Sequence, residues 1–328
     1  MLSTPCLSQD VMRLKYEKTI PLSEHDVFFK SVPPLVVDQK GTIFAVDNRE
    51  HAIIKLKDDG REVLRIGKRG QGPGELLNPS LVTLTSDRFC VLDGNGISMF
   101  GTDGGFLNRF RVFSAVISME SFQHGLFLAE SGYSKMIHQY DFYGKLIRDF
   151  GNKIDVDYSG FSPWSPMLAE FILNTGKLFC AGDHTHFINK LFGDWSVYDG
   201  AGLPIKKVKL ADPRWVRDLE HEIFKKKPSY TELQRMGMIP VFLDLALLDG
   251  HFYALVKKER LLECPGDILR YSADDGHIEA FYILSGGPDV FYQSFVIHRD
   301  AQGLKFILSG PDSNTHEIRI DIFRPDFE

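Results

Sequence analysis

The chain has 328 residues, of which 43% are hydrophobic and 25% charged, which is the composition of an ordinary globular protein. Lysine and arginine number 38 against 44 aspartates and glutamates, and the net charge of -6 argues against a nucleic-acid-binding protein, which usually carries a basic excess. Apolar runs all stay below the roughly 18 residues that a membrane-spanning helix needs, so no transmembrane segment is predicted.

The first residues contain no basic region followed by an apolar core, so no signal peptide is predicted. Two locations fit this beginning: the cytoplasm, or the periplasm or extracellular space if a leader has been removed. Four cysteines show neither a CxxC pair nor metal-ligand spacing, so no disulfide framework is predicted. No cofactor is expected, and calcium or zinc is the alternative.

Short apolar or alternating runs, separated by Gly, Asp and Asn turns, fill most of the chain and indicate an all-β protein. Four strands joined by three tight turns form a repeating unit. The units cover residues 35–66, 81–110, 116–150, 171–208, 242–284 and 295–322. In the fourth unit, residues 171–173 are predicted as the first strand and residues 179–183 as the second.

The sixth unit lacks a fourth strand, and residues 14–20 form a spare strand ahead of the first unit. Supplying the missing strand from the N-terminal side closes a ring and removes its open edge. The sequence therefore predicts one six-bladed β-propeller over residues 13–328, with residues 1–12 as a tail. We expect it to be a monomer.

The joint between the first two units reads Ile66-Gly67-x-x-Gly70-x-Gly72-x-Gly74-Glu75-Leu76-x-x-Pro79, followed by an apolar strand and Phe89-Cys90-Val91-Leu92-Asp93. This pattern resembles the NHL-type repeat of six-bladed propellers. The resemblance is specific over the first two units and decays afterwards. The chain as a whole is similar to bacterial six-bladed propeller proteins, many of which belong to the envelope or are secreted.

Two segments interrupt the strand rhythm. Residues 155–166 form an aromatic loop that contains Trp164. Asp212 and Pro213 are typical of an N-cap and a first helical turn, so a helix containing Trp215 is predicted there, with a second short helix from Ser229. Together they form a helical insertion at about 211–237, between the fourth and fifth blades.

In this strand order the first strand of each blade lines the central channel and the chain then moves outward. Connections between blades therefore lie at the same end as the turns between second and third strands, and we call this end the loop-rich face. Binding residues usually lie on such loops, held by a rigid scaffold. The predicted ligand-binding residues of this face are Arg49, Lys68, Arg69, Glu75, Trp164 and Trp215.

The glycine-rich loop after Gly67 is interpreted as a joint between blades that needs positive φ, because no helix follows it as in a phosphate-binding loop. Its cations, Lys68 and Arg69, remain available to an anion. The tryptophans are either buried within their insertions or stack on a ligand.

His184 and His186 form a His-x-His pair that we expect on the loop-rich face, and a metal site needs a further donor. Glu170, expected near the channel strand of the fourth blade, joins them as a predicted metal ligand, and the other candidates for the further donor are Asp183, His51 and His316. A solvated pair of loop histidines is the alternative interpretation.

Neither Gly-x-Ser-x-Gly nor His-Glu-x-x-His occurs in the chain. The favoured hypothesis is therefore a non-enzymatic binding or scaffold propeller that recognises a small molecule, a glycan or a protein on the loop-rich face. The alternative is a metal-dependent hydrolase or lyase, similar to the six-bladed lactonases, with its site at the mouth of the channel. First strands that offer mainly apolar residues and serines argue against lactonase chemistry. A third hypothesis is an assembly subunit that uses one face as an interface.

Overall fold

The structure is a computed structural model. It describes every residue except 1–9, 26, 95, 124, 155–165, 211–239, 257–263, 265 and 327–328. The predicted aromatic loop, up to residue 165, and the predicted helical insertion, with Trp164 and Trp215, lie outside the described residues. Among the described residues, no helix is long and apolar enough to cross a membrane.

The strands, in chain order, are β1 (Asp10–Thr19), β2 (Leu35–Val37), β3 (Ile43–Asp47), β4 (Ala52–Leu56), β5 (Glu62–Ile66), β6 (Pro79–Leu84), β7 (Arg88–Asp93), β8 (Gly96–Gly101), β9 (Phe106–Arg111), β10 (Ala115–Phe122), β11 (Gly125–Ser131), β12 (Ile137–Asp141), β13 (Leu146–Phe150), β14 (Gly176–Ala181), β15 (His184–Asn189), β16 (Asp194–Tyr198), β17 (Pro204–Lys209), β18 (Phe242–Leu248), β19 (His251–Val256), β20 (Ile268–Ser272), β21 (Ile278–Ser285), β22 (Ser294–Asp300), β23 (Gly303–Pro311) and β24 (Ile318–Pro325). A helix, α1 (Pro166–Leu173), precedes β14, and a 3-10 turn covers Ser23–His25.

Strands β2 to β17 form four four-stranded sheets, each made of consecutive strands. The remaining eight strands form one sheet in the order β18-β19-β20-β21-β1-β24-β23-β22. This sheet divides into a unit β18–β21 and a unit β22–β24 completed by β1, so we number the units 1 to 6 along the chain. The first strands β22, β2, β6, β10 and β14 contact one another in that order, and β18 contacts β22. The chain is a β-propeller.

The hydrophobic core lies between neighbouring units. Phe44 of unit 1 and Phe89 of unit 2 are buried and meet edge to face, with ring centroids 4.8 Å apart. Second strands such as β3 are buried along their whole length, whereas fourth strands such as β5 alternate between buried and exposed residues. This difference explains why second strands appear as continuous apolar runs in the sequence.

The ring is closed by β1. Its residues 10–15 pair in parallel with β21, the outermost strand of unit 5, and its residues 14–19 pair antiparallel with β24 of unit 6. The predicted closure by an N-terminal strand is confirmed. The strand starts at Asp10, inside the segment predicted as a tail, and besides completing unit 6 it pairs with the last strand of unit 5.

The predicted strand assignment in unit 4 is wrong. Residues 171–173 belong to α1, the first strand is β14, and the second is β15. The run of helix-forming residues before Phe171 extends the helix through these apolar residues. Asn174 ends it, with its backbone N–H bonded to the Glu170 carbonyl at 3.0 Å.

Units 2 to 5 each carry a glycine in the turn between the third and fourth strands, and that turn lies against the fourth strand of the preceding unit or the residue after it. The glycines adopt positive φ, and a Cβ on any of them would fall within 3.3 Å of the preceding unit: Gly104, Gly144, Gly202 and Gly276. At Gly144 the nearest atom is Cγ of Phe110, 2.5 Å away. These turns fix how closely the units approach one another.

Gly144→Ala should therefore destabilise the protein. The added Cβ must displace Phe110 and hold φ near 85°, for a combined cost of about 2–4 kcal/mol in the free energy of unfolding. Urea denaturation measures this, with Gly250→Ala as the control. Gly250 also has positive φ, at 74°, but no atom lies within 4 Å of its Cβ position. Equal destabilisation by both variants would contradict the packing role of the turn.

The closing strand allows a second paired test. Leu14 is completely buried between units 5 and 6, whereas Val11 on the same strand is 57% exposed. We expect Leu14→Ala to cost about 2–5 kcal/mol and Val11→Ala less than about 1 kcal/mol in the free energy of unfolding. If the two alanine variants have the same stability, β1 does not close the ring as described.

Candidate functional site

A cavity of about 520 Å³ lies where the first strands converge. The first strand of every described unit contributes to its lining, which combines aliphatic residues with polar ones. Four charged side chains stand out against this lining: Glu120, Lys177, Lys190 and Asp244. The sequence-based prediction missed them, although a charged residue inside an apolar strand such as β10 or β18 was a readable signal.

Three of these charges lie at the mouth of the channel on the loop-rich face. Lys177 and Asp244 are near the beginnings of β14 and β18, and first strands begin on that face. Lys190 directly follows β15, which ends there. The register of β18 shifts between Phe242 and Asp244, which marks a bulge at the start of this channel strand.

Lys177 and Asp244 form an ion pair across units 4 and 5, with Nζ and Oδ1 2.8 Å apart. The other carboxylate oxygen, Oδ2, accepts hydrogen bonds from the Ser294 hydroxyl at 3.0 Å and the Phe295 N–H at 3.1 Å, both in unit 6. Burial works to raise the pKa of Asp244, but the ammonium groups of Lys177 and Lys190 and these hydrogen bonds outweigh it and lower the pKa. Asp244 is therefore a fully bonded carboxylate.

Lys190 differs from Lys177 in having no counter-ion. Its backbone is fixed, since its N–H donates to the Thr175 carbonyl at 2.9 Å and its carbonyl accepts from Phe242. Within the described part of the chain, no hydrogen bond or ion pair is formed by its ammonium group. Burial and the neighbouring Lys177 lower the pKa of Lys190, against the opposing effect of Asp244. The mouth thus holds two cations and one carboxylate.

Glu120 lies deeper, near the end of β10 and towards the opposite face. Its Oε1 accepts a hydrogen bond from the Thr83 hydroxyl at 3.5 Å, and Thr83 also bonds to the Ser121 hydroxyl at 2.9 Å. Burial raises the pKa of Glu120 to about 7, against the effects of Lys177, the Ser121 N–H and Thr83. The carboxyl group therefore changes charge near neutral pH.

The predicted residues around the glycine-rich loop lie on the loop-rich face, where a Cβ added at Gly67 would meet the Leu76 side chain and the carbonyl of His51. Glu75 closes its own loop by accepting the Gly72 N–H at 2.9 Å, and this bond, followed by Lys68, lowers the pKa of Glu75. Lys68 is 78% exposed, with Nζ 3.4 Å from Glu75.

The two arginines predicted beside this loop lie on the same face. Nε of Arg49 lies 3.6 Å from Oε1 of its neighbour Glu50. The backbone of Arg69 forms an isolated parallel β-bridge with Leu76. Lys68, Arg49 and Arg69 thus remain rim candidates.

The predicted histidine pair lies on the other face, so its expected location is wrong. Because residues 182–183 form the turn between a first and a second strand, His184 starts β15 at the face opposite the loop-rich one. His186 is 6% exposed; it accepts a hydrogen bond from the Trp195 indole N–H, 3.2 Å from its Nδ1, and its ring stacks on that indole. It is packed as a core residue.

Glu170 does not join these histidines. It lies on α1 beside the loop-rich face, where Oε1 accepts the Gly132 N–H at 2.6 Å and Lys153 Nζ at 2.7 Å. Nowhere in the described residues do three His, Cys, Asp or Glu side chains group in a way that holds a metal ion. The three predicted ligands are divided between two faces because the first strand of unit 4 is β14.

The packing of His186 predicts a pH effect on stability. Burial, followed by the cationic forms of His184 and Lys206, lowers the pKa of His186 to about 4. The folded state therefore holds a neutral ring, and the stabilisation is present above the ordinary histidine pKa of about 6.5 and lost as the pH falls towards 4. In the wild-type protein, the free energy of unfolding should fall by on the order of 3 kcal/mol between pH 7 and pH 4 because of His186. The variant His186→Gln should not show this fall, and urea unfolding at the two pH values measures the difference. His184→Gln, at an exposed position, is the control, and an unchanged pH profile in His186→Gln would contradict the assignment.

No protein-family model matches this chain, and no curated protein matches it. Solved structures do. The chain is similar to a Bacteroides fragilis protein described as exported, with a TM-score of 0.58 at 11% identity over 96% of this chain and 99% of that one. It is similar to virginiamycin B lyase of Staphylococcus aureus, crystallised as a catalytically inactive variant with quinupristin, with a TM-score of 0.53 at 12% identity over 94% and 87% of the two chains.

A third similar structure is the β-propeller domain of Swd1 from Myceliophteria thermophila, with a TM-score of 0.52 at 11% identity over 94% of this chain and 99% of that one. At such low identity these likenesses establish the β-propeller fold and nothing about the ligand.

Proposed function

We propose that this protein is a non-enzymatic, six-bladed propeller of the NHL type that binds a small molecule carrying a carboxylate or phosphate group at the mouth of its central channel. The eight-stranded sheet is counted as two blades joined by β1. The observation that carries the proposal is Lys190, a residue of the cavity lining whose ammonium group has no ion-pair or hydrogen-bond partner among the described residues.

A charged group in a partly buried site is costly unless it is paired, so an unpaired cation in a cavity favours an anionic guest. The only carboxylate near Lys190 in the described residues, Asp244, already forms four contacts with Lys177, Ser294, Phe295 and Leu245. Asp244 thus holds Lys177 in position beside Lys190. The ammonium groups of Lys177 and Lys190 are close enough to interact electrostatically, and two such cations are suited to the oxygens of a carboxylate or phosphate.

The size of the site supports a small ligand. A volume of about 520 Å³ falls within the range of small-molecule pockets and is too small for a folded partner or a long glycan. Arg49, Lys68 and Arg69 stay proposed as ligand contacts on the loop-rich face, although Glu50 and Glu75 offset the charges of Arg49 and Lys68. Trp164 and Trp215 stay proposed as rim contacts on sequence grounds alone.

The geometry argues against the metal-dependent hydrolase or lyase. Its predicted ligands Glu170, His184 and His186 lie on two faces, and two of the three are engaged in other contacts.

Lys190→Met tests the proposal. Removing the ammonium group should weaken binding of an anionic probe at least tenfold, because one of two cations at the mouth is lost. It should also raise the midpoint of thermal unfolding, because an unpaired charge is replaced by a buried apolar chain. The probes are inorganic phosphate and succinate, titrated by isothermal calorimetry.

Lys207→Met, at an exposed position on β17, is the matched control and should change neither quantity. Wild-type protein that binds neither probe, or a Lys190→Met variant that binds them as tightly as wild type, would overturn the proposal.

A further inference from the structure

The channel contains a second group without an ionic partner. In the described residues no cation lies within salt-bridge distance of Glu120, and its one side-chain hydrogen bond, from Thr83, is long at 3.5 Å. Asp244 and Lys177 satisfy each other, so the cavity retains one unmatched cation, Lys190, and one unmatched carboxyl group, Glu120.

These two groups lie at different depths. The Leu178 N–H donates to the Ser118 hydroxyl at 3.0 Å, which sets the level of β14 against β10. Glu120 lies two residues beyond Ser118 towards the opposite face, and Lys177 lies one residue before Leu178 towards the loop-rich face. At roughly 3.3 Å per residue, the backbone of Glu120 is about 10 Å further along the channel than the backbone of Lys177.

We propose that the ligand is a linear zwitterion, whose carboxylate binds between Lys190 and Lys177 and whose amine reaches Glu120. This rests on the proposed function for the anionic end of the ligand and adds a cationic end. Beside Glu120, the Thr83 hydroxyl is already bonded to the hydroxyl and the N–H of Ser121, at 2.9 and 3.1 Å, so Glu120 is the group that receives the amine. The cavity lining includes aliphatic residues from the first strands β2, β6, β10, β18 and β22, which suit an unsubstituted methylene chain.

The surroundings of Glu120 make this contact pH-dependent. Lys177 on β14 is the cation that acts on it, and the thiols of Cys180 and Cys90 lie close enough to interact with it electrostatically. Burial raises the pKa of both thiols, that of Cys90 to about 12, so they stay neutral. Glu120 itself is mostly protonated at about pH 6 and mostly ionised at about pH 8. An ammonium group therefore binds better at the higher pH.

A series of ω-amino acids, from glycine to 8-aminooctanoate, tests the proposal against the carboxylic acids of the same chain length. The ratio of the two affinities, measured by calorimetry, isolates the contribution of the amine from that of the anion site. We expect this ratio to exceed about ten at an intermediate chain length, and to rise up to about tenfold between pH 6 and pH 8, following the ionised fraction of Glu120.

Glu120→Gln should bring the ratio close to one at every length and remove its pH dependence. Glu62→Gln, on the outer strand of unit 1, should behave as wild type. If the carboxylic acids bind and the added amine has no effect at any length, the zwitterion proposal is overturned while the anion site stands. If neither series binds wild-type protein, the proposed function itself fails.

Discussion

The pairing of β1 with both β21 and β24 is the constraint on which the rest of this structure depends. Each sheet buries one face against the next, as Phe44 does against Phe89, so an open ring leaves two apolar faces and several strand edges in water. By adding half of its length to unit 5 and half to unit 6, β1 removes both problems at once. The central cavity exists only because the first strands are held in a closed circle.

Ring closure also explains the unusual charges of the channel. The Lys177–Asp244 pair, with Ser294, connects units 4, 5 and 6 at the loop-rich mouth, so the polar cluster forms only when three units meet. Lys190 and Glu120 have no such complement among the described residues, and a buried charge without a partner costs stability. Groups that cost stability in this way mark functional sites in many proteins.

The sequence-based prediction was correct for the features that depend on a few neighbouring residues. Neighbouring residues determine the strand period, the turn glycines such as Gly144 and the spare N-terminal strand. Each of these features predicted a correct element. It failed in unit 4, where the apolar residues 171–173 fit a buried strand and a helix equally well. A run of three residues is too short for its length to distinguish the two. Because the first strand of unit 4 was assigned wrongly, His184 and His186 were predicted on the wrong face and grouped with Glu170.

The sequence by itself therefore determined the all-β class, the repeat and the closure of the ring, because backbone periodicity and turn chemistry act over a few residues. Only the tertiary structure decided the candidate site. Glu120, Lys190 and Asp244 belong to three different units, and each sits in a local sequence that explains it as an ordinary strand or turn residue. They face one cavity because six first strands converge on an axis, and the imbalance of charge there becomes visible only when their partners in space are known.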